Sequence, residues 1–319
     1  MSEPVSYRRF DVTATLESMG ALAFWSLGPI FITYLSRYLD SWTQNALRYL
    51  VACLFWLPFL LFSISTKRLD ARIWRRAIIP ALANIVMQSL FAGAFYYISP
   101  AFMVLLSKTS IIWVAGFSVI FFAEERMLVK SKRFWLGLAL SVAGVTGVMY
   151  FKEGFGTTRT ITGVVIALTM AFMWAVYMLS ARIAFREIDS RSSFAVISIY
   201  TVVGLFALAL KFGKVGDCIN VGAKGWAAIV ISGVASIALS HVLYYAAMRR
   251  IGATIPALVV LAQPFVVFAI SNVVFGESLN ARQLLSGLVL LGGAALAIWA
   301  QRHLSRGSSL VVCESVLDT

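Results

Sequence analysis

Residues 94–125 read AFYYISPAFMVLLSKTSIIWVAGFSVIFFAEE, and residues 247–277 read AMRRIGATIPALVVLAQPFVVFAISNVVFGE. Ala94 falls opposite Ala247, Ile98 opposite Ile251 and Glu125 opposite Glu277, at an offset near 150 residues. Further out, Ala23-Phe24-Trp25 matches Ala171-Phe172-Met173-Trp174. The chain therefore reads as one apolar unit written twice. With five crossings per unit the second copy is turned over, the arrangement in which secondary transporters place a site where their halves meet.

Composition supports a membrane setting. Hydrophobic residues make up 60% of the 319, charged residues 13%, and the mean hydropathy is +0.86. About 20 apolar residues cross the hydrocarbon as a helix, and ten such stretches fit: 14–35, 43–65, 75–98, 101–122, 134–151, 162–184, 193–212, 225–247, 253–275 and 282–300. They lack the alternation of barrel strands. The expected fold is all-α and polytopic, with ten transmembrane helices in two inverted five-helix repeats, 13–152 and 160–301, and a cytoplasmic tail, 302–319, that frays. Arg8-Arg9-Phe10 and Ala21-Leu22-Ala23 faintly resemble a twin-arginine signal and a cleavage site, but the intervening stretch is short and broken by Glu17.

The formal net charge is +13. Basic residues crowd alternate connections, Arg8/Arg9, Lys67–Arg76, Arg126–Arg133, Arg182–Arg191, Arg249/Arg250 and Arg302/Arg306. The other side holds Arg37, Lys152, Arg159, Lys211, Lys214, Lys224 and Arg282. Basic loops stay cytoplasmic, so both termini are expected in the cytoplasm of a bacterial inner membrane. The charge then reports topology; no basic cluster with a reading element points to nucleic acid. Cys53, Cys218 and Cys313 suggest neither a disulfide frame nor a metal cluster. No GxxxxGK[ST] motif points to ATP-driven pumping, and no cofactor is expected.

Ala23-Phe24-Trp25, Arg48, Ala94 to Ser99, Glu125 and the glycines Gly137, Gly144 and Gly147 together resemble the EamA unit of the drug/metabolite transporter superfamily. Trp174, Ala247, Ala253, Pro264, Gly276-Glu277 and Gly287/Gly292/Gly293 supply the second copy. The resemblance spans roughly residues 13–300 and is greatest to bacterial exporters of aromatic amino acids and methyl viologen. It implies a small-molecule substrate of that kind. The copies have diverged: Ser110 or Ile111 stands where the second has Pro264, and Arg48 has no counterpart.

Polar side chains inside spans mark sites, because they must face protein or water. Lys108, within Ser107-Lys108-Thr109-Ser110, either meets a substrate carboxylate or snorkels to an interface. His241, after Ser240 and one turn before Tyr244 and Tyr245, either binds or titrates, or makes a structural bond. Asn84 and Gln88 share one face of the third span, and Gln263 stands beside Pro264; such amides also link helices. Trp25, Tyr96, Trp174, Tyr177 and Tyr244 complete the candidate substrate-binding set. They suit planar side chains or a flat dication, although aromatics also anchor interfaces. Glu17 and Arg48 are a candidate structural ion pair. Pro29 and Pro264 are candidate gating bends, since each removes a backbone donor. The glycines of the fifth and tenth spans are expected to pack those helices together. The reading is a secondary transporter, not an enzyme; the alternatives are a membrane enzyme, which would need a ligand cluster that two histidines do not supply, or a sensor with a small-molecule pocket.

Overall fold

A computed structural model describes residues 11–66, 71–121, 130–153, 156–185, 188, 190–251 and 254–317. Among them the fold is all-helical, without strands. Helices α1 (Val12–Leu35), α2 (Ser41–Ser65) and α3 (Arg72–Ala94) are followed by two short ones, α4 (Pro100–Ser107) and α5 (Ser110–Phe121), and then α6 (Lys132–Tyr150). The second unit runs α7 (Thr158–Ala184), α8 (Ser190–Phe212), α9 (Ala223–Ser232), a π-helical stretch Gly233–Leu239, α10 (Ser240–Ile251), α11 (Thr254–Val260), α12 (Gln263–Phe275) and α13 (Ala281–Leu317). Nine helical spans among the described residues are long and apolar enough to cross a bilayer, with Pro256–Phe275 of α11 and α12 counted as one; Pro100–Val114, across α4 and the start of α5, is a shorter apolar stretch. Glu125 and Ala253, cited for the duplication, lie outside the described residues.

The packing follows the duplication. Helix α1 packs on α10 as α7 packs on α3, and α1 on α12 as α7 on α4 and α5. The pairs α2 with α8 and α6 with α13 each join equivalent helices of the two units. The α6–α13 seam is the tightest. A Cβ on Gly144 would lie 2.3 Å from the Leu290 backbone nitrogen, and one on Gly137 2.7 Å from the Gly293 carbonyl oxygen. Small residues let membrane helices approach this closely, and Gly137, Gly144, Gly147 and Gly293 pack the two helices as expected; Gly287 instead meets Leu105 of α4, and Gly292 meets nothing within 4 Å.

Three expectations need correction. The fourth span is not one helix: it is interrupted at Lys108-Thr109, as the ninth is at Leu261-Ala262. The interruptions are symmetric, since Ser107 and Val260, and Ser110 and Gln263, are separated by the same 153 residues as Ala94 and Ala247. In the second unit Pro264 cannot donate to the Val260 carbonyl. In the first, the hydroxyls of Ser107 and Thr109 bond the carbonyls of Val104 and Leu106, and competition of that kind loosens a helix. Second, Glu17 pairs with Arg250 at 3.4 Å and not with Arg48. Glu17 lies near the start of α1 and Arg48 near the start of the antiparallel α2, so their depths differ by about 15 Å at 1.5 Å per residue. Third, the tail does not fray at Arg302, because α13 continues to Leu317; no proline interrupts that stretch.

Asp40 ties the α1–α2 turn to the segment after α8. Its Oδ1 accepts the Trp42 and Thr43 N–H groups at 2.9 and 3.0 Å, and its Oδ2 accepts the Thr43 hydroxyl at 2.6 Å and the Lys214 N–H at 2.8 Å. Partial burial alone would raise the carboxyl's pKa, but these four donors outweigh it and hold it below its usual value. A lowered folded pKa contributes stability above the unfolded value that is lost as pH falls through the folded one. Asp40→Ala should therefore lower the thermal midpoint at pH 7 through loss of about 1 kcal/mol of capping. In thermal scans the gap between variant and parent should close as pH drops below about 4.

Candidate functional site

The two helix interruptions face each other and are bridged. Lys108 donates from Nζ to Gln263 Oε1 at 2.7 Å, and Gln263 Nε2 donates to the Trp25 carbonyl at 3.2 Å. That carbonyl is free because its ordinary helical partner would be the N–H of residue 29, which is Pro29. Both candidate gating prolines thus act on this bridge: Pro29 exposes the acceptor, and Pro264 opens the helix beside Gln263. Lys108 lies eight residues into the α4 segment and Trp25 ten residues before the end of α1. At 1.5 Å per residue both are about 12–15 Å from one end of the bundle, near the middle of a hydrocarbon core about 30 Å thick.

Aromatic rings converge on the same place. Trp25 meets its duplicate Trp174 edge-on with centroids 6.4 Å apart, and it also touches His241 at 5.2 Å and Tyr244 at 4.9 Å. Tyr177, 1% exposed, lies 6.1 Å from Trp174. Phe194 stacks on His241 at 4.9 Å. The His241 ring contacts the Ile237 carbonyl through Nδ1 at 2.7 Å. This carbonyl belongs to the π-helical stretch, where i→i−4 bonding is relaxed. An ammonium joined through Gln263 to the backbone of Trp25, whose ring gathers these aromatic side chains, brings a cation and aromatic surface to one level of the bundle, the two features that a carboxylate and an aromatic plane need.

Other candidates make bonds that hold the scaffold. Tyr96 donates its hydroxyl to the Leu39 carbonyl and accepts from Gln44 at 2.6 Å, bracing the α1–α2 turn. Asn84 donates to Thr201 at 2.9 Å, tying α3 to α8. The Gln88 carbonyl receives Asn45 Nδ2 at 3.0 Å. Ser240 turns back to the Ser236 carbonyl at 2.8 Å.

Sequence reasoning missed two features. Arg48, 3% exposed, donates from Nε to Ser232 at 2.9 Å, and Trp56 donates to the Ala238 carbonyl at 3.1 Å. Residues two turns apart on α2 thereby hold the π-helical stretch, Arg48 at the Ser232 hydroxyl just before it and Trp56 at a carbonyl that its irregular backbone leaves to be claimed. Glu277, read only as a marker of the repeat, is buried. Its Oε2 accepts the Ser271 hydroxyl and the Ala101 N–H, the latter at 3.1 Å, so it caps α4 from the other unit. Gly276, at φ +67°, makes the turn that brings it there. A glycine-glutamate pair ending an apolar run was the available signal.

A family model described as the EamA-like transporter family matches residues 14–150 and again 161–299. No match is found among curated proteins. A solved structure titled "Crystal structure of protein" is similar at a TM-score of 0.64 and 18% identity, covering 91% of this chain and 98% of that one; at that identity it supports the fold alone. Two matches in tandem, on units that pack with matching helix pairs, account for most of the chain: it belongs to the EamA-like transporter family, within the drug/metabolite transporter superfamily, and is a multi-pass membrane protein.

Proposed function

We propose that the chain is a secondary exporter of amino acids, aromatic and other neutral ones, and of related metabolites or methyl viologen. It works by alternating access between two inverted five-helix repeats, in a bacterial inner membrane with both termini cytoplasmic. The observation that supports this reading is the Lys108–Gln263–Trp25 bridge, which joins the interrupted helices of both units beside paired tryptophans. Broken helices at mid-depth are where transporters of this architecture bind their cargo. On this reading Lys108 receives the substrate carboxylate in place of Gln263. Trp25 and Trp174 part to admit the side chain, with Tyr177, His241 and Tyr244 as its remaining walls.

The test is flux through reconstituted protein over aromatic, aliphatic and charged amino acids and methyl viologen, at two pH gradients. Aromatic amino acids should move fastest; no flux of any amino acid or of viologen overturns the reading. Trp25→Ala should raise the half-saturating concentration for phenylalanine about three- to tenfold, the loss of one ring–ring contact of about 0.5–1.5 kcal/mol, while changing that for alanine less. Equal effects on both would remove the ring from the site.

A further inference from the structure

We infer that a second substrate station lies at the end of the bundle opposite the N-terminus: a cavity of about 510 Å³ that binds the charged head of a small zwitterion, its carboxylate on Arg37, Lys152 and Arg159 and its ammonium on Glu277. The cavity lies where α1, α3, α6 and α12 end and α7 begins, about 12–18 Å along the helices from the Lys108–Gln263 bridge. This inference rests on the transporter reading for the sense of passage, but not for binding itself.

The wall supplies both halves of the recognition. Arg37, Lys152 and Arg159, which the sequence offers only as topology markers, gather here. Arg37 lies 5.8 Å from the Phe275 ring centroid, Lys152 5.6 Å from that of Phe102, and Arg159 donates to the Tyr96 carbonyl at 3.0 Å. None has a carboxylate within salt-bridge distance among the described residues. Arg37 and Arg159 are exposed and Lys152 half-buried, so their excess positive charge draws an anion to the mouth of the cavity. In the same wall, Glu277 Oε1 is buried without a hydrogen-bond partner although Oε2 accepts two bonds. The hydroxyls of Thr33 and Ser99, also in the wall, are likewise buried and unpartnered. Such groups cost about 1–3 kcal/mol each when left unpaired. Three of them on one cavity, beside three cations, match a ligand bearing a carboxylate and several N–H donors. An anion alone would leave Glu277 unsatisfied, and a cation alone would face the arginines. The volume lies in the range of small-molecule sites.

The test uses the full chain in vesicles, with Cys53, Cys218 and Cys313 replaced by Ser and the exposed wall residue Tyr97 changed to Cys as a target for a thiol reagent; Ser278→Cys is a second reporter. L-Phenylalanine should protect the cysteine, whereas phenethylamine and 3-phenylpropionate should not. Arg159→Gln and Glu277→Gln should each raise the half-protecting concentration about tenfold, the effect of one charge-assisted hydrogen bond. Protection should survive Lys108→Met. If Lys108→Met removes it as fully as the cavity variants do, the label is reporting the central site and the second station is overturned. Equal protection by 3-phenylpropionate overturns the zwitterion assignment. Flux without protection overturns the station and leaves the transporter reading; protection without flux does the reverse, and neither effect defeats both.

Discussion

Lys108→Met should reduce amino-acid flux through reconstituted protein about ten- to a hundredfold while leaving the thermal midpoint unchanged or raised. The first half follows from losing the one ammonium at the helix interruptions, whose hydrogen bonds to charged partners are worth about 1.5–3 kcal/mol each. The second follows from desolvation. Lys108 is held by an uncharged partner, Gln263 Oε1, and removing a charge that has no countercharge relieves a burial cost. Methionine keeps the length and fills the space. The split is the diagnostic: a lysine that only holds the scaffold would lose stability and flux together, and one that snorkels to an interface would lose neither. Gln263→Leu should behave differently. It leaves the Trp25 carbonyl and the ammonium without their partner, so it should lower both flux and the thermal midpoint.

Gly144→Leu should abolish accumulation of folded protein, and Gly144→Ala should cost about 1–3 kcal/mol, the usual penalty of overpacking. The first added carbon already lies 2.3 Å from the Leu290 nitrogen and 2.5 Å from its Cα. Backbone atoms cannot swing aside, so α6 and α13 would have to separate. That separation would also open the reciprocal contact of Gly137 with Gly293. Gly292→Ala, on the same helix but exposed and with nothing within 4 Å, is the matched control and should be neutral. Detergent-solubilised variants followed by size-exclusion chromatography after heating would separate the three. A Gly144→Ala protein as stable as its parent would mean that the seam is looser than described.

The repeat was legible because its markers are local: the apolar runs, the Trp25 and Trp174 openings and the glycines of α6 and α13 are visible without any contact. The bridge was half legible. Lys108, Gln263 and Trp25 each stand out as polar or bulky groups inside apolar spans, yet their meeting depends on interruptions that only one proline advertises. In the first unit the interruption comes from Ser107 and Thr109 turning onto their own helix, and such residues are common in helices that stay whole. Tyr96 shows the converse. Its place near the end of α3 suited a binding role, but the bond to Leu39 closes a turn 57 residues away in sequence, which no spacing predicts. Arg48 was misread for a similar reason: depth follows from where each helix starts, and the antiparallel step from α1 to α2 puts Glu17 and Arg48 at different levels. The cavity cations were hidden by their own success as topology signals, since loop position explains them before any ligand is invoked.

Counterflow tests the central claim most directly, that one site between the two units is exposed in turn to each side. Vesicles loaded with unlabelled L-phenylalanine and diluted into a trace of labelled L-phenylalanine should accumulate label transiently above equilibrium. They should do so without an applied gradient of pH or potential, and Lys108→Met should abolish the overshoot. Uptake that rises monotonically to equilibrium in the parent protein, or an overshoot that Lys108→Met leaves intact, would contradict it.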